Sequence, residues 1–408
     1  MTQSFLRRLS VSSFIFCFLG IAAIAQEPFK LSSGDNVLEI GGIVSSYMNI
    51  RSYTPGTTPK YKNNTFCLKD ARLDLSGKFG KDFDYHLQMD FAGMPAVYDP
   101  ASPFLNDAYI TYKGVKKFAN IRFGYGKVAY SLNSIVDHEW TPYWERPLVT
   151  KGDFFARRDI GIRLDRSFWN DRIKAYAGVY TGVGELSLGG LNDPSGAFEY
   201  AGRVEVGYPE RLKEFDAIID TKNSKHLSVL VGLNTRYSKR MLPNDPKQTY
   251  FIPGETGALT DDSVYNCKVV DGEKIIYGGD ISILYHGFSV QAETHILNAT
   301  PTNHNNGILN NTYALYNNTN FKAGGWFVTA NYFSKKYKSL LSVRYEELNA
   351  NDLVPGMTKR IAYSYCYQIK GFHSMIRAEM YHIVDQTEAI MISSWNNQFR
   401  IGWQFAIE

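Results

Sequence analysis

The sequence predicts an all-β fold: a transmembrane antiparallel β-barrel of about 16 strands with short periplasmic turns and long external loops. Three observations predict it. Apolar and polar residues alternate along segments that recur from one end of the chain to the other. The chain is rich in aromatics (28 Tyr, 25 Phe, 6 Trp), yet its mean hydropathy is −0.27. The links between the alternating segments are long and short by turns. A barrel needs apolar side chains only at every second position, so it can be aromatic and hydrophilic at once.

The first 25 residues read as a signal peptide. Arg7 and Arg8 supply the positive start, Phe14 to Leu19 open an apolar core, and Ala23-Ile24-Ala25 offers a small-x-small cleavage site before Gln26. The apolar run falls short of the ~20 residues a spanning helix needs, and no further run of that kind follows. The expected organisation is therefore a signal peptide at 1–25 and one barrel at 26–408.

Strands are expected near 37–50, 66–76, 84–92, 104–113, 119–127, 159–166, 172–180, 200–208, 226–237, 276–285, 288–296, 322–333, 340–348, 359–369, 374–382 and 396–407. In Tyr85-His86-Leu87-Gln88-Met89-Asp90-Phe91 the odd positions are apolar and the even ones polar. The last segment sets Phe399, Ile401, Trp403, Phe405 and Ile407 on one face, with Arg400 and Gln404 on the other. A period of two gives a strand with one wet and one apolar face.

Short links carry basic and turn-forming residues, as at Gly77 to Lys81, Lys113 to Lys117, His286-Gly287, Ser334 to Lys338 and Lys370-Gly371. Long links fall near 51–65, 93–103, 128–158, 181–199, 238–275, 297–321, 349–358 and 383–395. Both termini then lie on the short-turn side, as in outer-membrane barrels. The link at 209–225 is too long for a turn and is expected to hold a short helix. A soluble β-sandwich would also alternate, but the signal peptide, the aromatics near strand ends and the rhythm of the links favour the membrane.

Charge and cysteine content exclude several classes. The formal net charge of +4 loses Arg7 and Arg8 on cleavage, leaving +2, too small for a nucleic-acid field. Cys67, Cys267 and Cys366 remain, an odd and scattered set that is neither a disulfide framework nor a metal cluster. No Gly-x-Ser-x-Gly elbow stands out, so an envelope hydrolase is the weakest alternative and no enzyme is expected. Asp137-His138-Glu139 offers three metal-ligating types, but adjacent loop residues rarely share one coordination sphere. No metal and no cofactor is expected.

From about Ala71 to Leu164 the chain resembles the phosphate-selective porin O and P family. The resemblance rests on Ala71-Arg72-Leu73-Asp74-Leu75-Ser76-Gly77-Lys78, Lys81-Asp82-Phe83-Asp84-Tyr85 and Asp90-Phe91-Ala92-Gly93. It continues in Asn106-Asp107-Ala108-Tyr109-Ile110-Thr111-Tyr112-Lys113-Gly114 and Arg122-Phe123-Gly124-Tyr125-Gly126-Lys127. Trp144-Glu145-Arg146-Pro147-Leu148 and Arg157-Arg158-Asp159-Ile160-Gly161-Ile162 close the set. The resemblance implies a sixteen-stranded barrel, usually trimeric, in a Gram-negative outer membrane, whose third external loop (here 128–158) folds inward to narrow the pore. The chain departs from the family in two ways: most of the family's anion-ladder cations have no matching position here, and it ends Phe405-Ala406-Ile407-Glu408 rather than on an aromatic.

The expected function is passive diffusion of small hydrophilic solutes, with an anion or phosphate preference set against a broad pore. A preference for anions needs cations where the pore is narrow. The candidates are Arg146 and Lys151 in the third loop, Arg157 and Arg158 at its return, Arg163 on the next strand, and Arg72 and Arg122 on neighbouring strands. Guanidinium suits phosphate through paired hydrogen bonds. Asp74, Asp90, Asp107, Asp153, Asp159 and Asp165 lie close by in sequence and would neutralise them in an ordinary charge lattice. Trp140, Tyr143 and Trp144 raise a sugar-selective pore as a competitor, against simple packing of the loop on the wall. A barrel that merely displays loops for binding or adhesion is the remaining alternative. The partners expected are membrane lipid, small solutes or anions, and two further copies of the chain, with no nucleic acid.

Overall fold

The computed structural model describes residues 28–51, 64–93, 105–115, 118–150, 155–182, 184, 196–240, 272–301, 320–349, 352, 357–386 and 398–407. The expected signal segment, Lys151, Asp153, Cys267 and most of the other long external loops lie outside the described residues. Among the described residues, seventeen strands form one sheet. They are β1 (Phe29–Ser33), β2 (Asn36–Arg51), β3 (Asn64–Phe79), β4 (Phe83–Asp90), β5 (Leu105–Tyr112), β6 (Asn120–Lys127), β7 (Arg158–Phe168), β8 (Ile173–Tyr180) and β9 (Glu199–Tyr208). There follow β10 (Ser228–Arg240), β11 (Gly272–Tyr285), β12 (Phe288–Pro301), β13 (Phe321–Ser334), β14 (Ser339–Asn349), β15 (Thr358–Lys370), β16 (Ser374–Gln386) and β17 (Gln398–Ile407).

From β2 onward each strand pairs antiparallel with the next, and β17 pairs with β2 from Gln398↔Arg51 to Ile407↔Gly42. Closure gives a sixteen-stranded barrel with no free edge, so every strand spends its N–H and C=O groups on neighbours. The sixteen expected strands are these, displaced by a few residues at their ends. β1, which pairs with β2 from Phe29↔Ile40 to Ser33↔Asn36, is additional. His286 and Gly287 carry the hairpin between β11 and β12 with φ of 50° and 82°, the left-handed pair that a two-residue turn requires.

The alternation sorts side chains as a membrane demands. Outward positions such as Val204, Leu233, Leu341, Val343 and Ile401 are exposed, while their inward neighbours Arg203, Asn234, Ser342, Arg344 and Arg400 are buried. Exposed aromatics bracket this band: Tyr208, Tyr285, Phe288 and Tyr332 at the short-turn end, and Tyr200, Tyr237, Tyr277 and Trp326 at the other. The step from Tyr200 to Tyr208, at ~3.4 Å per residue and ~40° of tilt, spans about 21 Å, close to the apolar height of an outer-membrane barrel.

One bulge matters for the interior. Ser45 pairs with Asp70 but Ser46 pairs with Leu68, so Lys69 is the extra residue. The bulge shifts the phase of β3. Phe66 and Leu68 before it point outward, 87% and 55% exposed, whereas Asp70 and Arg72 after it are buried inside. An unbroken strand would have turned both charges to lipid.

Candidate functional site

The link between β6 and β7 folds into the lumen and acquires a core of its own. Val128, Ala129, Tyr130, Leu132, Val136, Tyr143, Trp144, Leu148, Val149 and Phe155 are all buried. Its path is set by one short helix, α1 (Leu132–Ile135), and by 3-10 turns at His138–Trp140 and Leu148–Thr150. Ser131 caps α1, its side chain accepting from the Ser134 N–H at 3.1 Å. Pro142 and Pro147 punctuate the return.

Contacts with β3, β12 and β14 to β17 are among those that hold this loop to the wall. On β12, Glu293 accepts from the backbone and side-chain nitrogens of Asn133 at 3.3 and 3.1 Å, and His295 meets the Tyr130 hydroxyl at 2.9 Å. On β3, Arg72 donates to Glu139 at 2.8 Å and to Asp70 at 2.6 Å, while His138 Nε2 lies 3.0 Å from Asp70. On β14 to β17 the loop docks through Tyr143, Trp144 and Glu145. The Arg344 guanidinium stacks on Tyr143 at 4.2 Å and that of Arg377 on Trp144 at 4.4 Å. Arg400 and Arg360 both pair with the Glu145 carboxylate, and the Trp144 N–H donates to Glu379 at 2.7 Å.

The arginines Arg344, Arg360, Arg377 and Arg400 are not among the candidate cations of the sequence analysis, though one occupies the lumen register of each of four consecutive strands. That repetition was the available signal. The aromatic trio is now placed as well. Tyr143 and Trp144 are 1% and 0% exposed and pack the loop on the wall, and Trp140 rests on Phe215, Phe372 and His373. None of the three forms a free stacking platform, so the sugar-selective reading loses the residues that carried it.

Of the seven candidate cations, Lys151 lies outside the described residues. Arg146, Arg157 and Arg158 converge, with Lys127, on the single carboxylate of Asp137. Arg158 is tied more closely to Asp107, at 3.0 Å. Arg163 pairs with Asp165 at 3.4 Å, and Arg72 with Asp70, Asp90 and Glu139. Arg122 alone among the six described candidates has no carboxylate partner. Its Nε donates to the Thr111 hydroxyl at 3.4 Å, its guanidinium covers the Tyr109 ring at 3.8 Å, and its cross-strand neighbour is Arg163. It is half-buried, on a wall where Asp74, His86 and Lys174 are also partly accessible.

Burial and crowding set the protonation of the loop. Burial works to raise the Asp137 carboxyl, but Lys127, Arg157 and Arg158 around it hold it well below the usual carboxylate range. Burial pushes His138 down to about 3, against the opposing pull of Asp70, so its ring is neutral at pH 7. Burial and the neighbouring Arg158 lower Arg157 to about 10. Asp137, His138 and Glu139 diverge toward Arg157, Asp70 and Arg72, and no metal-holding cluster exists among the described residues.

The link from Pro209 to Leu227 corrects the expectation of a short helix. It consists of bends and turns, with Ala217 N donating to Lys213 O at 3.0 Å as a single helical turn that does not propagate. It also enters the lumen. Ala217, Ile218 and Ile219 are buried among Leu230, Phe333, Leu340, Cys366 and Met375 of the wall and Leu132 and Val136 of the inward loop. Asp220 fastens it, accepting from the Ser224 and Gly287 N–H groups at 2.9 and 2.8 Å. Segments from both ends of the barrel thus meet inside it.

A profile of the phosphate-selective porin O and P family matches residues 45–350. No curated protein sequence matches the chain. Among solved structures it is similar to an anion-selective porin from Comamonas acidovorans, with 9% identity, a TM-score of 0.55, and coverage of 91% of this chain and 100% of that one. The outer membrane channel DcaP of Acinetobacter baumannii gives 12% identity and a TM-score of 0.55, covering 93% of this chain and 100% of that one. A trimer form of the outer membrane protein OmpT of Vibrio cholerae gives 11% and 0.55, covering 91% and 99%. At such identities the likeness is one of fold.

Proposed function

The chain belongs to the phosphate-selective porin O and P family, and from that premise we propose that it is a broad hydrophilic pore with a modest anion preference, not a phosphate-binding one. As a porin it is an outer-membrane channel, and its family and fold are those of a channel rather than an enzyme. The observation that carries the finer reading is the pairing of the cations. Arg72, Arg146, Arg157, Arg158 and Arg163 each have a carboxylate within 4 Å, which offsets the charge that would draw phosphate. Arg122, free of a carboxylate and partly accessible, is left to favour anions.

The size of the preference follows from Coulomb's law. One charge ~5 Å from a passing ion in water-like dielectric is worth ~0.8 kcal/mol, or ~0.5 after screening at 0.1 M salt. Because anion and cation respond oppositely, Arg122→Gln is expected to lower the chloride-to-potassium permeability ratio about fivefold. Reversal potentials in a salt gradient across planar bilayers measure it. An unchanged potential overturns the role of Arg122, and block of chloride current by submillimolar phosphate overturns the broad pore. Absence of any single-channel conductance would favour the alternative of a barrel that displays its loops.

The proposal extends to processing and assembly. Cleavage before Gln26 delivers the chain to a Gram-negative outer membrane, supported by the charge and apolar pattern of residues 1–25. A homotrimer is supported by the trimer form of the OmpT relative. Mass spectrometry of the mature N-terminus and of the native complex tests both.

A further inference from the structure

Along one arc of the barrel rim the short turns carry lysine and no acid. Backbone hydrogen bonds set these turns in a row: the His286 N–H donates to Ser224 O at 2.9 Å, the Phe333 N–H to Gly287 O at 2.8 Å and the Gln368 N–H to Lys338 O at 2.7 Å. Neither Asp nor Glu occurs from Tyr285 to Phe288, from Ser334 to Ser339 or from Lys370 to Ser374. Lys335, Lys336, Lys338 and Lys370 are exposed, and none forms a salt bridge among the described residues. Across the barrel the turns differ. There Lys81 lies 3.9 Å from Asp35, and Lys113 pairs with Asp84. The exposed rings differ too: Phe79, Phe83 and Phe118 on that side, against Tyr332, Tyr337, Tyr365 and Tyr367, with Phe288, beside the unpaired lysines.

The backbone adds a second observation. Lys338 stands at φ 50°, in the left-handed region that favours glycine or asparagine. Glycine would make the turn without that strain, so the turn itself does not account for a lysine there.

We propose that this arc is a docking surface for anionic phospholipid, holding the phosphate of a headgroup with net negative charge, such as phosphatidylglycerol. Phe288 and Tyr332 mark the edge of the lipid-facing band. Lys335 and Lys336 follow Tyr332 within ~14 Å of extended chain, which sets their ammonium groups at headgroup level. Short turns of an outer-membrane barrel face the periplasm, so the lipid they meet is that of the inner leaflet. Lysine is a point charge suited to phosphate, and phenol hydroxyls donate beside it. The Tyr365 hydroxyl already reaches the turn, 3.1 Å from Ser339 Oγ. A zwitterionic headgroup brings its own ammonium and leaves the lysine charge unbalanced; an anionic one balances it. The lysines across the barrel find their counter-charge within the protein. The rim surface is independent of which solute crosses the pore.

The test offers the full folded protein, in detergent, dioleoylphosphatidylglycerol or dioleoylphosphatidylethanolamine, and counts bound lipid by native mass spectrometry. Preferential retention of phosphatidylglycerol is the expected result, weakened about fivefold for each lysine removed. Lys335→Gln with Lys336→Gln should therefore weaken it ~25-fold and change phosphatidylethanolamine little. Lys338→Gly should weaken it while the thermal midpoint stays the same or rises. Lys81→Gln with Lys113→Gln, across the barrel, should leave retention unchanged, and an equal loss there overturns the assignment to this arc. Equal retention of the two lipids by the wild type overturns the proposal without any variant. Displacement of the lipid by equimolar glycerol 3-phosphate would reveal a site for free phosphate and overturn a lipid surface.

Discussion

Replacing Glu145 by Gln is expected to loosen the inward loop from the wall without opening the barrel. The Glu145 carboxylate, 20% exposed, holds Arg400 and Arg360, whose side chains are only 4% and 5% exposed. Removing one member of a buried ion pair costs about 3–5 kcal/mol, because the remaining charge stays buried without its partner. Here the partial exposure, and the further pairing of Arg400 with Glu379 and Arg360 with Glu346, reduce this to ~2–3 kcal/mol. At 1.36 kcal/mol per decade, the released fraction of the loop rises ~30- to 150-fold. Limited proteolysis of the folded protein reads that fraction directly when the loop recloses faster than it is cut. The cleavage rate within 128–158 should rise by the same factor, and single-channel traces should become noisier. Adding Arg400→Gln should cost less than the sum of the two single changes by more than ~1 kcal/mol. A cleavage rate within about threefold of wild type, or strict additivity of the pair, would refute the reasoning.

Two further perturbations address the other inward contacts. Ile218→Ala removes side-chain volume from the apolar cluster where the two inward segments meet, a loss of ~2–5 kcal/mol locally; conductance in planar bilayers should increase while the thermal midpoint of the barrel changes little, and an unchanged conductance would show that this segment does not restrict the path. For His138, whose folded value of about 3 lies below the ordinary 6.5, the folded state binds fewer protons than the released one between these limits. Docking should therefore be constant above pH 6.5 and weaken by ~1.4 kcal/mol per pH unit as the pH falls toward 3. Protease sensitivity of the loop against pH measures this, and His138→Gln should flatten the profile.

The barrel was legible because its signal is local and repeated: a period of two needs only neighbours along the chain. β1 escaped because five residues, Phe29 to Ser33, are too few to establish a period beside an expected signal peptide. The segment after Pro209 was misjudged because its order comes from the wall it rests on. Leu230, Leu340 and Met375, apolar on a face otherwise charged, are the trace of it in the sequence. The cations were identified as lumenal, but their partners could not be read. Arg72 and Glu139 stand 67 residues apart, and their meeting depends on a bulge that shifts the phase of β3. Spacing along the chain shows which charges share a face. It does not show which of them a folded loop will neutralise.

A barrel made from one chain has a joint that no peptide bond crosses, here the pairing of β17 with β2. The inward loop spans that joint from inside. Glu145 holds Arg400 on β17, and His138 and Glu139 hold Asp70 and Arg72 on β3, with Gln404 of β17 donating to the Glu139 carbonyl at 3.2 Å. The loop is thereby a rivet as well as a constriction. Peeling away the last strand must break this internal fastening together with the hydrogen-bonded ladder.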